Sequence, residues 1–259
     1  MFPLSDDNPT RSPPIATIAL ILINALAWVF VQGLGAAGPL AESLCLYGLI
    51  PGDLLGTVAP GTRQPVSDSF VCVLGGDGRV TSIVTSMFMH GGWFHIIGNM
   101  WFLWVFGDNV EDVMGPVRFV VFYLLCGLGA AAAQVLTDLS STLPMVGASG
   151  AIGGVMGAYA LLFPRARVRT LIFLGFFITT ISVPAVFMLG YWFLLQVLGG
   201  LPALGSSKGG VAFWAHIGGF VAGLVLIGAF ARSDYPATYQ SLLGRRAARR
   251  SQRDDGRWF

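Results

Sequence analysis

Long apolar stretches follow one another along this chain, and they decide what it can fold into. A helix needs about 20 mostly apolar residues to cross the hydrocarbon of a bilayer. Such stretches are expected to be spans over 15–31, 82–106, 117–136, 146–163, 171–197 and 211–230. The fifth is expected to bend at Pro184, because proline removes a helical hydrogen bond. The second should end in a polar turn, Gly107-Asp108-Asn109-Val110-Glu111-Asp112. Only 11% of the residues are charged and mean hydropathy is +0.71, whereas soluble domains carry about 25% charged residues. The expectation is an all-α membrane protein, a bundle of six transmembrane helices with a long first outer loop at about 32–80. The chain then divides into an N-terminal tail (1–14), a six-span domain (15–231) and a basic C-terminal tail (232–259).

Six spans put both termini on one side, and basic residues indicate which side. The N-terminal tail, the turn after the second span, the turn through Arg165, Arg167 and Arg169, and the C-terminal tail hold 12 of the 15 Lys and Arg residues. The opposite loops hold Arg63, Arg79 and Lys208. Both termini are therefore expected in the cytoplasm, as in a multi-pass protein of a bacterial inner membrane. The start of the chain has Asp6, Asp7, Pro13 and Pro14 in place of a basic region and cleavage site, so no removable signal peptide is read. Arg245, Arg246, Arg249, Arg250, Arg253 and Arg257 read as a solvated tail that fixes topology, ahead of a site for anionic lipid. Cys45 and Cys72 share the first loop. Two unpaired small residues is the favoured reading, with pairing open if that loop lies outside the cytosol.

Ser149 lies in Gly147-Ala148-Ser149-Gly150 near the outer mouth of the fourth span, and His216 at similar depth in the sixth. A histidine in hydrocarbon is unfavourable and calls for a use. Serine is a weak nucleophile until a neighbouring base takes its proton. Gly150, Gly153, Gly154 and Gly157 on the fourth span, with Gly219 and Gly223 on the sixth, would let the two backbones approach. His95 and Asn99 are four residues apart, hence on one helix face, and both side chains can donate to an oxyanion. Each feature alone has a plainer explanation: glycine packing for the serine motif, interhelical bonding for His95 and Asn99. Their agreement in depth favours one wet cavity. His90 reads as structural, anchoring the first loop. Three histidines could ligate a metal, but no carboxylate falls inside a span to complete such a site. No glycine-rich loop follows a strand, so no nucleotide, nucleic acid, metal or other cofactor is expected.

These motifs resemble the rhomboid family of intramembrane serine proteases. The matching pieces are His90-Gly-Gly-Trp-Phe-His95-Ile-Ile-Gly-Asn99, Gly147-Ala-Ser149-Gly150 and Ala215-His216-Ile-Gly-Gly219-Phe-Val-Ala-Gly223, with Glu111 after the second span. They cover the core, about residues 15–231, in the right order. The resemblance implies a six-helix fold with Ser149 as nucleophile and His216 as base and then acid. Asn99 and His95, with the Ser149 backbone N–H, would hold the oxyanion. No acidic third member is implied. The substrates would be transmembrane segments of other proteins, cut near their outer ends, and the fifth span with the 199–210 cap would be the gate. Two positions depart from the family pattern. Gly153 stands where an aromatic residue often stacks on the histidine, so something else must orient His216. Thr81 and Ser82 stand near where a Trp-Arg pair often anchors the first loop, with Arg79 close by. The competing readings are an inactive relative that binds membrane clients, which would typically lack the serine or histidine, and a transporter, for which paired charges within spans or an inverted repeat are not visible. Oligomeric state is left open.

Overall fold

The structure is a computed structural model that describes residues 1–67, 70–75, 78–174, 177–204 and 210–235. The arginine tail from 236 onward, and the expectations placed on it, lie outside the described residues. In chain order the elements are β1 (Phe2–Asp6), α1 (Ile15–Phe30), α2 (Ala37–Tyr47), α3 (Pro51–Leu54), β2 (Arg63–Ser67), β3 (Phe70–Val73), α4 (Ser82–Thr85) and α5 (Trp93–Met114). There follow α6 (Pro116–Thr137), α7 (Ser149–Leu162), β4 (Arg167–Leu174), β5 (Phe177–Pro184), α8 (Ala185–Ala203) and α9 (Phe213–Phe230). Helices α6, α8 and α9 are long and apolar enough to cross a membrane, and α1 and α7 are shorter apolar helices.

Helix α7 is the centre of the bundle. Every residue from Gly150 to Tyr159 is buried, which is the pattern of a helix packed on all sides. Its closest neighbour is α9. A Cβ on Gly219 would lie 1.8 Å from the Gly150 carbonyl oxygen, and one on Gly223 1.9 Å from that of Gly154. Only glycine permits that approach, so these two positions set the α7–α9 spacing. The outward faces of the bundle are apolar: Phe94, Val117, Phe187 and Val225 are among the exposed side chains.

Five expectations are corrected. The fold is mostly helical but not all-α. The stretch 171–197 is not one bent span, because Arg167–Leu174 and Phe177–Pro184 pair as the antiparallel strands β4 and β5 and only the part from Ala185 is helical. The run Arg-Val-Arg-Thr-Leu-Ile-Phe-Leu before Gly175, and Phe-Ile-Thr-Thr-Ile-Ser-Val after it, is rich in β-branched and aromatic residues that suit a pleated strand. Hydropathy averaged over the stretch hides that period. The N-terminal segment adds the third strand: β1 pairs antiparallel with β4, Phe2 opposite Leu171 and Asp6 opposite Val168. Asp6 is carried by this strand onto the Tyr159 hydroxyl, which donates to it. Burial pushes the Asp6 carboxyl up to about 6, with the Tyr159 bond opposing and the nearby Asp7 adding to the rise.

The second span is also redrawn. Residues 82–88 form a separate helical turn, the chain breaks at His90-Gly91-Gly92, and α5 starts at Trp93. The break is held by Gln32, whose side-chain oxygen accepts from the His90 N–H and whose amide donates to the His90 carbonyl, both at 2.8 Å. The expected polar turn 107–112 is the continuation of α5. Glu111 and Asp112 are buried and bonded: Glu111 accepts from the N–H groups of Ala16 (2.9 Å) and Thr17 (2.8 Å) and from the Thr17 hydroxyl (2.8 Å). Asp112 accepts from the N–H groups of Arg11 and Ser12, each at 3.0 Å. Helix α1 thus begins on acidic side chains supplied by α5, where its unpaired N–H groups and dipole favour negative charge.

Finally, Cys45 and Cys72 form a disulfide with Cα atoms 5.6 Å apart, against the favoured reading of two unpaired residues. Helix α2 and strand β3 pack on each other around a small core with Ile50 and Leu74. Sequence spacing gives no such proximity. The first loop is further fixed by Arg79, which pairs with Asp53 at 3.6 Å and donates to the Leu46 carbonyl at 3.2 Å. That is the anchoring which Thr81 and Ser82 left open.

Candidate active site

Ser149 is the first residue of α7, and His216 lies in the first turn of α9. Because α7 and α9 touch along their glycines, the two side chains meet: His216 Nε2 and Ser149 Oγ are 2.7 Å apart. They lie on a cavity of about 500 Å³, whose apolar wall includes Phe102, Met145, Ile152, Met156 and Trp192. His95 and Asn99 line the same cavity, so the four residues singled out from sequence come together from three helices.

The donors around Ser149 are specific. The Gly91 N–H donates to His95 Nδ1 at 3.2 Å, so the proton of a neutral His95 ring is on Nε2. That Nε2 points at the turn before Ser149, where a Cβ on Gly147 would come within 2.7 Å of it. Gly147 has φ +129°, a conformation that disfavours side chains, and both facts require glycine there. Asn99 is buried, and its Nδ2 has no hydrogen-bond partner among the described residues. A buried unpaired donor on a cavity wall is unfavourable unless something else occupies the site. The Ser149 N–H, at the first position of α7, has no intrahelical partner. His90 is fully buried and its ring packs edge-on against His95 at 5.1 Å. Its backbone N–H and carbonyl are bonded by the Gln32 side chain.

Two features escaped the sequence reading. Leu49 in the first loop pairs with Met145 through two backbone bonds of 2.9 and 2.8 Å, which ties that loop to the segment leading into Ser149. The other is Gln196 on α8, whose Oε1 lies 2.8 Å from His216 Nδ1. Its signal was present: a lone amide in an apolar helix, as notable there as a histidine.

The sequence profile described as Rhomboid domain matches residues 77–233, more than half of the chain. The chain belongs to the rhomboid family. A rhomboid domain is a multi-pass helical membrane fold, so this is an integral membrane protein, and its homologues include rhomboid proteases. Rhomboid protein 1, mitochondrial, from Saccharomyces cerevisiae is 29% identical over 184 residues, 69% of this chain and 47% of that protein. Rhomboid-like protein 11, chloroplastic, from Arabidopsis thaliana is 30% identical over 150 residues, 56% of this chain and 50% of that one. Rhomboid protease GluP from Bacillus subtilis is 32% identical over 136 residues, 52% and 26% of the two chains. The chain spans half or less of the length of each of these relatives.

Proposed function

We propose that this rhomboid protein is an intramembrane serine endopeptidase with six spans, acting on transmembrane segments of other membrane proteins. The observation that carries the reading is the 2.7 Å contact between Ser149 Oγ and His216 Nε2 on a cavity with unused donors. His216 Nε2 takes the Ser149 proton as Oγ attacks the scissile carbonyl carbon. The carbonyl oxygen becomes an oxyanion and accepts from Asn99 Nδ2, His95 Nε2 and the Ser149 N–H, at the positive end of α7. Collapse breaks the C–N bond, and His216 returns its proton to the leaving amine. Water then attacks the acyl carbon as His216 takes its proton, the bond to Ser149 Oγ breaks, and His216 returns that proton to Oγ. In a formed helix the carbonyls are bonded and hidden, so the substrate must unwind locally before attack. Cleavage near a helix end, at small or helix-destabilising residues, follows.

Entry is assigned to the α8 side, with α8 as the gate. The arginine asymmetry supports a topology with both termini in the cytoplasm and the Ser149 end facing outward. The Cys45–Cys72 disulfide supports it too, since such bonds persist in oxidising compartments.

The test is cleavage of a type I transmembrane substrate with a Gly-Ala-rich outer end, using purified protein in mild detergent. Wild type should cut it, and Ser149→Ala and His216→Ala should not. Cleavage that survives Ser149→Ala would overturn the mechanism. Failure of the wild type both to cut and to react with a fluorophosphonate would overturn the protease reading.

A further inference from the structure

Gln196 is 8% exposed and stands on α8 facing the base. Its Nε2 donates to the Trp192 carbonyl one turn back, at 3.1 Å. A carbonyl only accepts, so this bond decides which end of the amide faces His216: it is the oxygen, 2.8 Å from Nδ1. An amide oxygen also only accepts, so Nδ1 must carry a proton. In a neutral imidazole the lone pair is then on Nε2, the atom 2.7 Å from Ser149 Oγ. The Trp192 ring lies against the imidazole with centroids 5.7 Å apart and planes at 36°. At Gly153 no side chain is available to stack on the base, and a Cβ there would lie 3.0 Å from the His216 carbonyl oxygen.

We propose that Gln196 is the positioning residue of His216, selecting the Nδ1–H tautomer and holding the ring toward Ser149. The inference rests on the protease reading and deepens it. It gives the dyad a third support of uncharged chemistry, an amide whose own orientation is set by Trp192 one helical turn away. It also has a consequence for regulation. Ser149 and His216 stand on α7 and α9, which are locked together at Gly219 and Gly223. Gln196 stands on α8, whose outward face, including Phe187, Leu194 and Leu198, is exposed and apolar. Movement of α8 away from α9 therefore withdraws the acceptor from Nδ1 while leaving the Ser149 helix in place. The base is set only while α8 is seated, so a substrate that enters beside α8 meets a competent dyad only after α8 returns.

The experiment compares full-length wild type, Gln196→Met and Gln196→Glu in detergent. Methionine keeps the length and shape without an acceptor, and glutamate restores an acceptor. With ¹⁵N-labelled histidine, the His216 signals are assigned by their loss in His216→Ala. Wild type should show the Nδ1–H tautomer and Gln196→Met a mixture of tautomers. In Gln196→Met, kcat should fall about 10- to 100-fold with KM unchanged, less than the roughly 10⁴-fold loss when an ionised partner holding the tautomer is removed. Fluorophosphonate labelling of Ser149 should slow by the same factor, and Gln196→Glu should recover most of the rate. The proposal is overturned if Gln196→Met keeps the wild-type tautomer and rate. It is equally overturned if the rate loss follows lowered thermal stability and glutamate does not restore it. A wild type that shows the Nδ1–H tautomer yet neither cuts nor labels would overturn the protease reading while leaving the Gln196–His216 bond intact.

Discussion

The two ends of α5 treat buried polar groups in opposite ways. His95 and Glu111 are separated by about 24 Å along the helix, at 1.5 Å per residue. At the Glu111 end each oxygen of the two carboxylates accepts at least one hydrogen bond: Glu111 from Ala16 and Thr17, Asp112 from Arg11, Ser12 and Tyr235. At the His95 end, Asn99 Nδ2 is buried and without a partner, facing a cavity. At one end the two carboxylates have their hydrogen bonding completed and work as a fastening. The other is left incomplete, which is what a site needs if a charge forming during a reaction is to be its missing partner. The fastening and the candidate site are thus separated along one helix.

That separation can be broken or sharpened by substitution. The largest effect belongs to the proposed dyad: Ser149→Ala or His216→Ala should lower cleavage by about 10⁴-fold or more, with the thermal unfolding temperature unchanged. Gly219→Val comes next. Its side chain must displace the Gly150 carbonyl, so the Ser149–His216 contact should open and fluorophosphonate labelling should be lost, even where circular dichroism shows helices intact. Asn99→Ala should lower kcat by about 10²- to 10³-fold, as for loss of one oxyanion donor. The same variant should be as stable as wild type or slightly more so, because an unpaired buried donor has been removed. Marked destabilisation would mean that Asn99 belongs to the fastening.

Glu111→Ala should behave in the reverse sense. It leaves the Ala16 and Thr17 donors without their acceptor and should destabilise the protein by about 3 kcal/mol, read by unfolding in mixed micelles, while molecules still folded label at the normal rate. The smallest effect is at Asp6. Its folded carboxyl holds a proton up to about pH 6, above the ordinary 3.8. The folded state therefore binds that proton more tightly, and its stabilising contribution is complete below pH 4 and lost as pH rises through 6. Docking of β1 should weaken over that window, measured as faster amide exchange in residues 2–6, and Asp6→Asn should reduce the pH dependence.

The candidate site was more legible than the scaffold around it. Ser149, His95, Asn99 and His216 stand out because polar groups in apolar stretches are few and each needs a reason. Gln196 obeys the same logic but was hidden inside a stretch taken for one long span. The hairpin β4–β5 was missed because period-two and helical patterns have the same average hydropathy. The Glu111–Asp112 cap was taken for a turn because six polar-rich residues resemble one until their partners, nearly a hundred positions earlier in the chain, are in view. The Cys45–Cys72 bond has the same origin, since it depends on α2 and β3 being neighbours.

By itself the sequence determined that the chain is a membrane protein of the rhomboid family and which residues are unusual enough to act. Those are properties of local composition and spacing, which survive without knowledge of contacts. Tertiary structure alone decided how the unusual residues face one another. Ser149 and His216 touch because two glycine faces let α7 and α9 meet at van der Waals distance. His216 Nδ1 meets the Gln196 amide oxygen of a third helix at 2.8 Å. The N-terminus of α1 is held by carboxylates from α5. Each is a relation between groups distant in sequence, and only packing brings such groups to hydrogen-bonding range.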